Sequence, residues 1–463
     1  MVYYLLIGLS GFIFIGLLIY FRKHFFAALE ATLSLSNAVL SKEDELVKQK
    51  NLIEALKNML LALGKNIGLL AIIVFITCLP VYIYLRFQNI EFQSSDTSST
   101  WFFVSMSVGS IIPFLIKRKT PSEDYSEASI LFHKLILNNY NIGRLLFSFD
   151  SKFKKEKISE DKEIFLIVSG LARAGTTSLT DQLFKAGNFS SLDYSNMPLL
   201  LAPNLWKRMY NPKKAKLKER KHGDKMLFGL NTIEALEEYF FKVFLNDSFI
   251  SKNYLNKHEI TEEVYDNYMK YQALVRQNNT STYLSKNNNI ILRYESLRKF
   301  NKSFKVVFLF RKPEVHAYSL LNQHKRFSEF QTDDEFMQTY LDWLGHHEFG
   351  KNQKVFKFTD KDLEFPYEKS TLNYWLAIWL NYYNYLLEIE DENYLLIEYS
   401  DYLNKPQKVM EYIESEMSMS FDYSHLIPFS NNRDIDTSAC DKQLLEAVNT
   451  VYDKLKGKKV CFK

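Results

Sequence analysis

Two short stretches of this sequence concentrate residues suited to holding anions. The first runs Gly170-Leu171-Ala172-Arg173-Ala174-Gly175 and continues into Thr176-Thr177-Ser178. It follows an unbroken apolar run, Phe165 to Val168, and leads into a stretch of helical character. Strand, glycine-bounded loop and helix favour negative charge for a physical reason. The first N–H groups of a helix have no intrahelical partners and sit at the positive end of its dipole. Gly170 and Gly175 allow the backbone shapes and close approach that wrapping a phosphate demands, and the Thr and Ser hydroxyls add donors.

The spacing Gly170-x4-Gly175 is that of a P-loop, but Thr176 stands where the G-x4-G-K-[ST] motif has its lysine. Ordinary ATP or GTP hydrolysis is therefore disfavoured, and the positive charge has moved into the loop, at Arg173. The second stretch begins with another apolar run, Phe304 to Phe310, and ends in Arg311-Lys312-Pro313-Glu314. Pro313 suits the first turn of a helix, and that helix carries Ser319, eight residues after Arg311.

In this order, and each after an apolar strand, the two stretches resemble the sulfotransferases that use 3′-phosphoadenosine 5′-phosphosulfate (PAPS). That family binds the 5′-phosphosulfate with a loop like R-S-G-T-T or K-S-G-T-T, and the 3′-phosphate with an Arg at a strand end and a Ser eight residues on. The resemblance covers about Lys162 to the C-terminus. It implies that Gly170, Arg173, Ala174, Gly175, Thr176, Thr177 and Ser178 bind the phosphosulfate end, and Arg311 and Ser319 the 3′-phosphate. The family also has a lysine facing the transferred group before the second strand. Lys286, in Tyr283-Leu284-Ser285-Lys286-Asn287-Asn288, matches it by order, without the family's proline. The segments N-M-P-x3-A-P-N-L-W and K-E-R-x-H-G-D resemble a bacterial branch of the superfamily. Trp375, Trp379 and Tyr382 fit its W-x3-[WY]-x2-Y helix, whereas Tyr399-Ser400-Asp401-Tyr402-Leu403 places Ser400 where the family's Y-E-D-L-like segment is acidic.

The reaction so implied is in-line transfer of a sulfuryl group to a hydroxyl or amine, by positioning and charge stabilisation. The group bears one negative charge, so Arg173, backbone amides and Lys286 suffice to stabilise it and no metal is required. The acceptor needs a base. His222, whose unperturbed pKa lies near neutral pH, comes first, with Asp224 and Glu238 as alternatives. The cluster Gly345-His346-His347-Glu348 is not the H-E-x-x-H metal motif and is expected to pack or to shape the substrate site. Membrane attachment points to a glycan, lipid or lipid-linked sugar as acceptor, with a peptide tyrosine or small molecule left open. Two other readings compete: a P-loop protein that binds a nucleotide without turnover, and a kinase. The latter should have a Mg²⁺-binding acid at a strand end, where Arg311 stands instead.

These groups must be brought to one edge of a sheet. Alternating apolar strands and helices around a P-loop predict an α/β domain, with a mostly parallel sheet flanked by helices and ligands at the carboxyl ends of the strands. Asn231 to Phe244 reads as a helix carrying Glu234, Glu237 and Glu238, with Glu234 and Glu238 on one face and at least one of the three solvated. Phe189 to Tyr210, apolar with two prolines, reads as a lining loop. Tyr374 to Leu387 is an aromatic helix, Tyr394 to Leu403 a last parallel strand and turn, and the tail from Asn431, with Arg433, can return over the cofactor.

The N-terminal part is of another kind. Met1 to Phe21 lacks charged side chains and, at ~1.5 Å per residue, is long enough to span a bilayer core. It has no basic n-region or A-x-A-like site, as a signal peptide would. Asn66 to Leu85 is a second such run, and Trp101 to Ile116 a shorter third containing Pro113. Seven Lys and Arg lie between Arg22 and Asn66, one between Arg86 and Thr100, and Lys117-Arg118-Lys119 follows the third run. By the positive-inside rule the first and last of these flanks are cytoplasmic. With three spans, everything after Lys117 lies in the cytosol, where PAPS is made. The expected plan is a membrane domain over 1–119 with two to three spans and a helical arm (Phe25 to Gly64), a helical linker over 120–161 and a sulfotransferase domain over 162–463. The arm serves as a solvated connector or a self-association surface. The linker contains a helix over Ile130 to Phe147 and the charged run Lys152 to Lys162.

Composition agrees with a folded chain: 463 residues, 47% hydrophobic and 24% charged. A net charge of +4 is too slight for general nucleic-acid affinity. Cys78, Cys440 and Cys461, without C-x-x-C spacing, argue against a disulfide framework or zinc site.

Overall fold

The computed structural model describes residues 2–40, 45–90, 99–115, 127–153, 163–209, 218–219, 227–228, 233–333, 335–359, 366–391, 393–426 and 435–462. They form two compact units, Met1–Leu135 and Ile136–Lys463.

The first unit is helical: Val2–Tyr20, Arg22–Leu40, Glu45–Phe87 and Thr100–Leu115. Val2–Tyr20 and Leu46–Phe87 are long and apolar enough to cross a membrane. They keep large apolar side chains on the outside: Phe75 is 68% exposed. The third apolar run forms a helix of 16 residues with Pro113 inside it. At ~1.5 Å per residue this falls short of a ~30 Å hydrocarbon core. The arm is not one helix. Its first part is Arg22–Leu40, and its second is continuous with the second apolar run in a single 43-residue helix, Glu45–Phe87. Gly64 and Gly68 stand where the charged half of that helix meets the apolar one, and the helix runs through both.

The second unit starts at Ile136, within the stretch expected to be a linker. Two helices, Glu127–Leu137 and Tyr140–Phe153, replace the one expected over Ile130 to Phe147. The second is amphipathic and belongs to the second unit's core. Phe147 packs edge-on against Phe244 at 5.3 Å, and the Tyr140 hydroxyl donates to Asp247 Oδ2 (2.6 Å). Asp150 accepts from the N–H groups of Asn204 (3.1 Å) and Leu205 (2.7 Å), in the first turn of the helix Pro203–Met209.

The described strands are β1 (Phe165–Gly170), β2 (Phe189–Ser190), β3 (Lys218–Glu219), β4 (Leu227–Phe228), β5 (Tyr254–Asn256), β6 (Thr282–Lys286), β7 (Lys305–Phe310), β8 (Val355–Lys357) and β9 (Tyr394–Glu398). Five of them form one sheet in the order β2-β6-β1-β7-β9, with every pair parallel. In β1, Val168 lies opposite Lys286 of β6 and Val307 of β7.

Both faces of the sheet are covered, which is why its strands read as continuous apolar runs. Side chains alternate with the period of two that a strand imposes. Leu166, Val168, Leu284, Val307 and Leu309 meet Leu179 and Leu183 of the helix Thr176–Ala186 and Val409 and Ile413 of the helix Pro406–Met417. Phe165, Ile167, Tyr283, Val306 and Phe308 face the other way, toward Ala317, Leu320, Trp379 and Tyr383 of the helices Pro313–Asp333 and Leu372–Glu388. From β1 the chain crosses to the edge strand β2, comes back inward to β6 beside β1, and then builds β7 and β9 on the opposite side. In such a sheet the crevice lies where the order reverses, here at the carboxyl ends of β1 and β7.

Asn231 to Phe244 departs from expectation. The helix there is Glu238–Leu245, and Glu234 and Glu237 precede it. All three carboxylates are buried, at 5%, 2% and 1% exposure for Glu234, Glu237 and Glu238, so none is solvated.

Candidate active site

The glycine-bounded loop connects β1 to the helix Thr176–Ala186, and both glycines are required by its shape. Gly170 has φ +146°, and a Cβ there would come 2.6 Å from the Leu309 carbonyl oxygen on β7. Gly175 has φ +104°, and a Cβ would come 2.3 Å from the Tyr399 ring. Between them Arg173, although not a glycine, holds φ +71°. A left-handed backbone at such a residue persists only where its surroundings fix it. Here the Ala174 N–H donates to the Leu171 carbonyl (3.1 Å), and His316 Nε2–H donates to the Ala172 carbonyl (2.7 Å). Burial, with Arg311 and Arg173 adding to it, holds the His316 imidazole down at about 3. It is therefore a neutral ring whose one proton is committed to the loop.

Gly175 caps the helix with no side-chain oxygen on the first-turn amides. Thr177 Oγ1 accepts from Lys286 Nζ (2.7 Å), and the Ser178 and Tyr402 hydroxyls lie 3.3 Å apart. Arg173 Nε donates to Ser319 Oγ (3.2 Å). The two motifs, far apart in sequence, thus meet across the crevice between β1 and β7. Arg311, the residue after β7, places its guanidinium 5.1 Å from the centre of the Tyr399 ring. That ring is the one that excludes a Cβ at Gly175. Burial pushes the Tyr399 phenol up, against the opposing pull of Arg311 and Arg173.

Lys286 ends β6, and its Nζ lies 2.5 Å from Glu234 Oε2 in a nearly closed environment. Below this pair the end of β6 is held by a buried polar network. Glu237 accepts from the hydroxyls of Tyr268 (2.9 Å) and Tyr283 (2.7 Å) and from Asn287 Nδ2 (2.9 Å). Burial raises its pKa despite these donors. Glu238 accepts two bonds of 2.7 Å from Arg293. The guanidinium lies 4.1 Å from the Phe241 ring centre and 5.0 Å from that of Phe249. Each carboxylate is buried because it has donors waiting.

Arg173, Lys286, Arg311, Ser319 and the Gly170–Ser178 loop thus gather at the carboxyl ends of β1, β6 and β7. His222, Asp224 and Arg433 lie outside the described residues. Glu238, an alternative for the base, is spent on Arg293. In the 346–348 cluster the side chains diverge, as adjacent residues must. His346 Nε2 bonds the Ala235 carbonyl (3.1 Å), His347 Nδ1 the Asn352 carbonyl (3.2 Å), and Glu348 Oε1 accepts from Asn288 Nδ2 (3.1 Å). Sequence reasoning missed Glu234, His316 and Tyr399 as parts of this site. Only Tyr399 carried a signal, as the residue after an apolar strand.

No protein-family model and no curated protein matches the chain. Among solved structures it is similar to sulfotransferase STF1 from Mycobacterium tuberculosis H37Rv, at 12% identity and TM-score 0.37, over 71% of this chain and 90% of that one. It is also similar to sulfotransferase STF9 from Mycobacterium avium, at 13% identity and TM-score 0.38, over 74% and 88%. A third is the sulfotransferase domain of the Synechococcus PCC 7002 olefin synthase, at 14% identity and TM-score 0.29, over 66% and 94%. Likeness at this level does not define an activity, which has to be read from the residues of this chain.

Proposed function

We propose that the second unit transfers a sulfuryl group from PAPS to a hydroxyl or amine of an acceptor, and that the N-terminal apolar helices anchor the chain in a membrane. The observation that supports this most is the Arg173–Ser319 hydrogen bond, which joins the glycine-bounded loop to the helix after β7. It brings two anion-binding motifs together at the crevice, where PAPS has two anionic ends to place. Gly170 and Gly175 permit the positive-φ loop that leads into the helix Thr176–Ala186, whose first-turn amides carry no side-chain cap and suit a phosphate. Thr176 in the Walker lysine position sets the loop apart from that of a nucleotide triphosphatase.

On this reading the loop Gly170, Arg173, Ala174, Gly175, Thr176, Thr177 and Ser178 wraps the 5′-phosphosulfate, with the uncapped first-turn amides of the helix and the hydroxyls of Thr176, Thr177 and Ser178 as donors. Arg311 and Ser319 hold the 3′-phosphate. PAPS supplies an electrophilic sulfur and a phosphate leaving group. Arg173 and Lys286 stabilise the charge that moves onto that phosphate, acting as fixed dipoles and charges in a closed site. Glu234 aims Lys286 at Thr177, and His316 fixes the carbonyl before Arg173. A membrane-attached enzyme of this kind meets lipids, lipid-linked sugars and glycan precursors, the acceptor classes we favour.

Mass spectrometry of polar lipids and glycans from cells with and without the gene tests the reading. A sulfate-sized mass difference that depends on the gene is the expected result. PAPS binding by the purified chain with no sulfated product in cells or in an acceptor screen would turn the reading toward a nucleotide-binding protein without turnover.

A further inference from the structure

The acceptor of such a transfer must lose a proton, and His222, the group expected to take it, lies outside the described residues. Resting on the sulfotransferase reading, we infer that His346 is the acceptor's base and that its Nδ1 faces the acceptor oxygen beside Lys286. Three contacts fix its loop against the segments that hold Lys286. Asn289 Nδ2 donates to the Gly345 carbonyl (3.2 Å) and Asn288 Nδ2 to Glu348 Oε1 (3.1 Å). His346 Nε2–H donates to the carbonyl of Ala235 (3.1 Å), the neighbour of Glu234. The loop lies close against the helix Glu238–Leu245: Gly345 has φ +70°, and a Cβ there would come 2.7 Å from Glu238 Cγ.

The bond to Ala235 sets the tautomer, since a carbonyl only accepts. The proton is on Nε2, and the lone pair is on Nδ1. Among the described residues the hydrogen bond this ring makes is the one at Nε2. His346 is partly exposed, whereas His316 and His347 are buried. The charged groups that face it are Glu348 on its own loop, Lys286 at the end of β6 and Glu238 on the helix Glu238–Leu245. Partial desolvation by the neighbouring segments lowers the His346 pKa; Glu348 and Glu238 pull it up, and Lys286 pushes it down. The ring therefore stays neutral at neutral pH, the form that takes a proton, and Glu348 stands ready to offset the imidazolium. In the step, the acceptor's O–H proton passes to Nδ1 as its oxygen bonds sulfur. The bond from sulfur to the 5′-phosphate oxygen breaks, with its electron pair leaving on that phosphate. The products are the sulfate ester and adenosine 3′,5′-bisphosphate, and His346 later returns the proton to water.

The test uses the full chain in detergent with ¹³Cε1-labelled histidine, the His346 signal being assigned by its loss in His346→Gln. The signal should titrate below the ordinary 6.5, and Lys286→Met should raise its pKa. With PAPS as donor and water as the probe acceptor, sulfate release should fall about 10²-fold or more in His346→Gln. Calorimetric affinity for adenosine 3′,5′-bisphosphate should stay within about threefold of the wild type, the pattern of a group acting on the reaction rather than on donor binding. A His346 signal that titrates at or above 6.5 or ignores Lys286→Met overturns the assignment. So does a wild type that binds the bisphosphate yet releases sulfate no faster than His346→Gln. A wild type that does not bind the bisphosphate overturns both this assignment and the sulfotransferase reading.

Discussion

At Arg173 a left-handed backbone and the bond to Ser319 hold the guanidinium in place. Pre-organisation of this kind favours the transition state, in which charge moves onto the bridging oxygen, over the ground state. Arg173→Ala should therefore lower turnover by roughly 10² or more while the affinity for adenosine 3′,5′-bisphosphate changes by less than about tenfold. Lysine should restore part of the rate but lacks the planar fork. If alanine instead abolishes bisphosphate binding and the residual rate tracks occupancy, Arg173 is an anchor, and the catalytic charge lies at Lys286. Arg311 should behave oppositely, since it would meet a dianion in the ground state. Arg311→Ala should weaken bisphosphate binding by ~2 kcal/mol or more, read by calorimetry. Arg173, Arg311 and Ser319 were legible from the sequence as residue types at fixed spacings after apolar strands. The bond between Arg173 and Ser319 was not, because spacing along the chain does not say which helix crosses which loop.

At the scale of elements, the end of β6 and the loop after β1 rest on buried ionisable groups, and losing one of them costs stability. The Glu238–Arg293 pair is sealed, at 1% and 0% side-chain exposure. Removing one partner strands a buried charge, so Glu238→Ala should cost about 3–5 kcal/mol and lower the thermal midpoint of the full chain. An unchanged midpoint would mean that the network is relaxed by water. His316 and His347 are each held down to about 3, in both cases chiefly by burial. Between that value and 6.5 the unfolded chain binds protons that the folded chain refuses, so stability falls as pH drops through this window and is unaffected above it. At pH 5 each ring should cost roughly 2 kcal/mol. Thermal midpoints should decline from pH 7 to 5, and His316→Gln should flatten that decline. The helical period assigned to Glu234, Glu237 and Glu238 misled because residues 233–237 are not helical. Their partners Lys286, Tyr283 and Arg293 come from elements no local pattern links to them. The second unit also begins before the expected boundary, at Ile136. The charged run after Lys152 looked like a boundary, but Tyr140, Phe147 and Asp150 of the helix before it pack into that unit.

At the scale of the whole molecule, an apolar helical unit precedes an α/β unit whose proposed donor is made in the cytosol. The seven-to-one excess of basic residues across the second apolar run motivates a topology prediction. A reporter fused after Lys119 should be active only in its cytosolic form. Activity on the far side would mean that one run does not cross, and the 16-residue helix Thr100–Leu115 is the one short enough to fail. The central claim, a site built for a nucleotide with a 3′-phosphate, is tested most directly by calorimetry on the purified full chain. Adenosine 3′,5′-bisphosphate should bind more tightly than AMP, ADP or ATP by about tenfold or more, since Arg311 adds a charge-assisted contact that only the 3′-phosphate can use. Equal affinity for the bisphosphate and AMP would contradict the account.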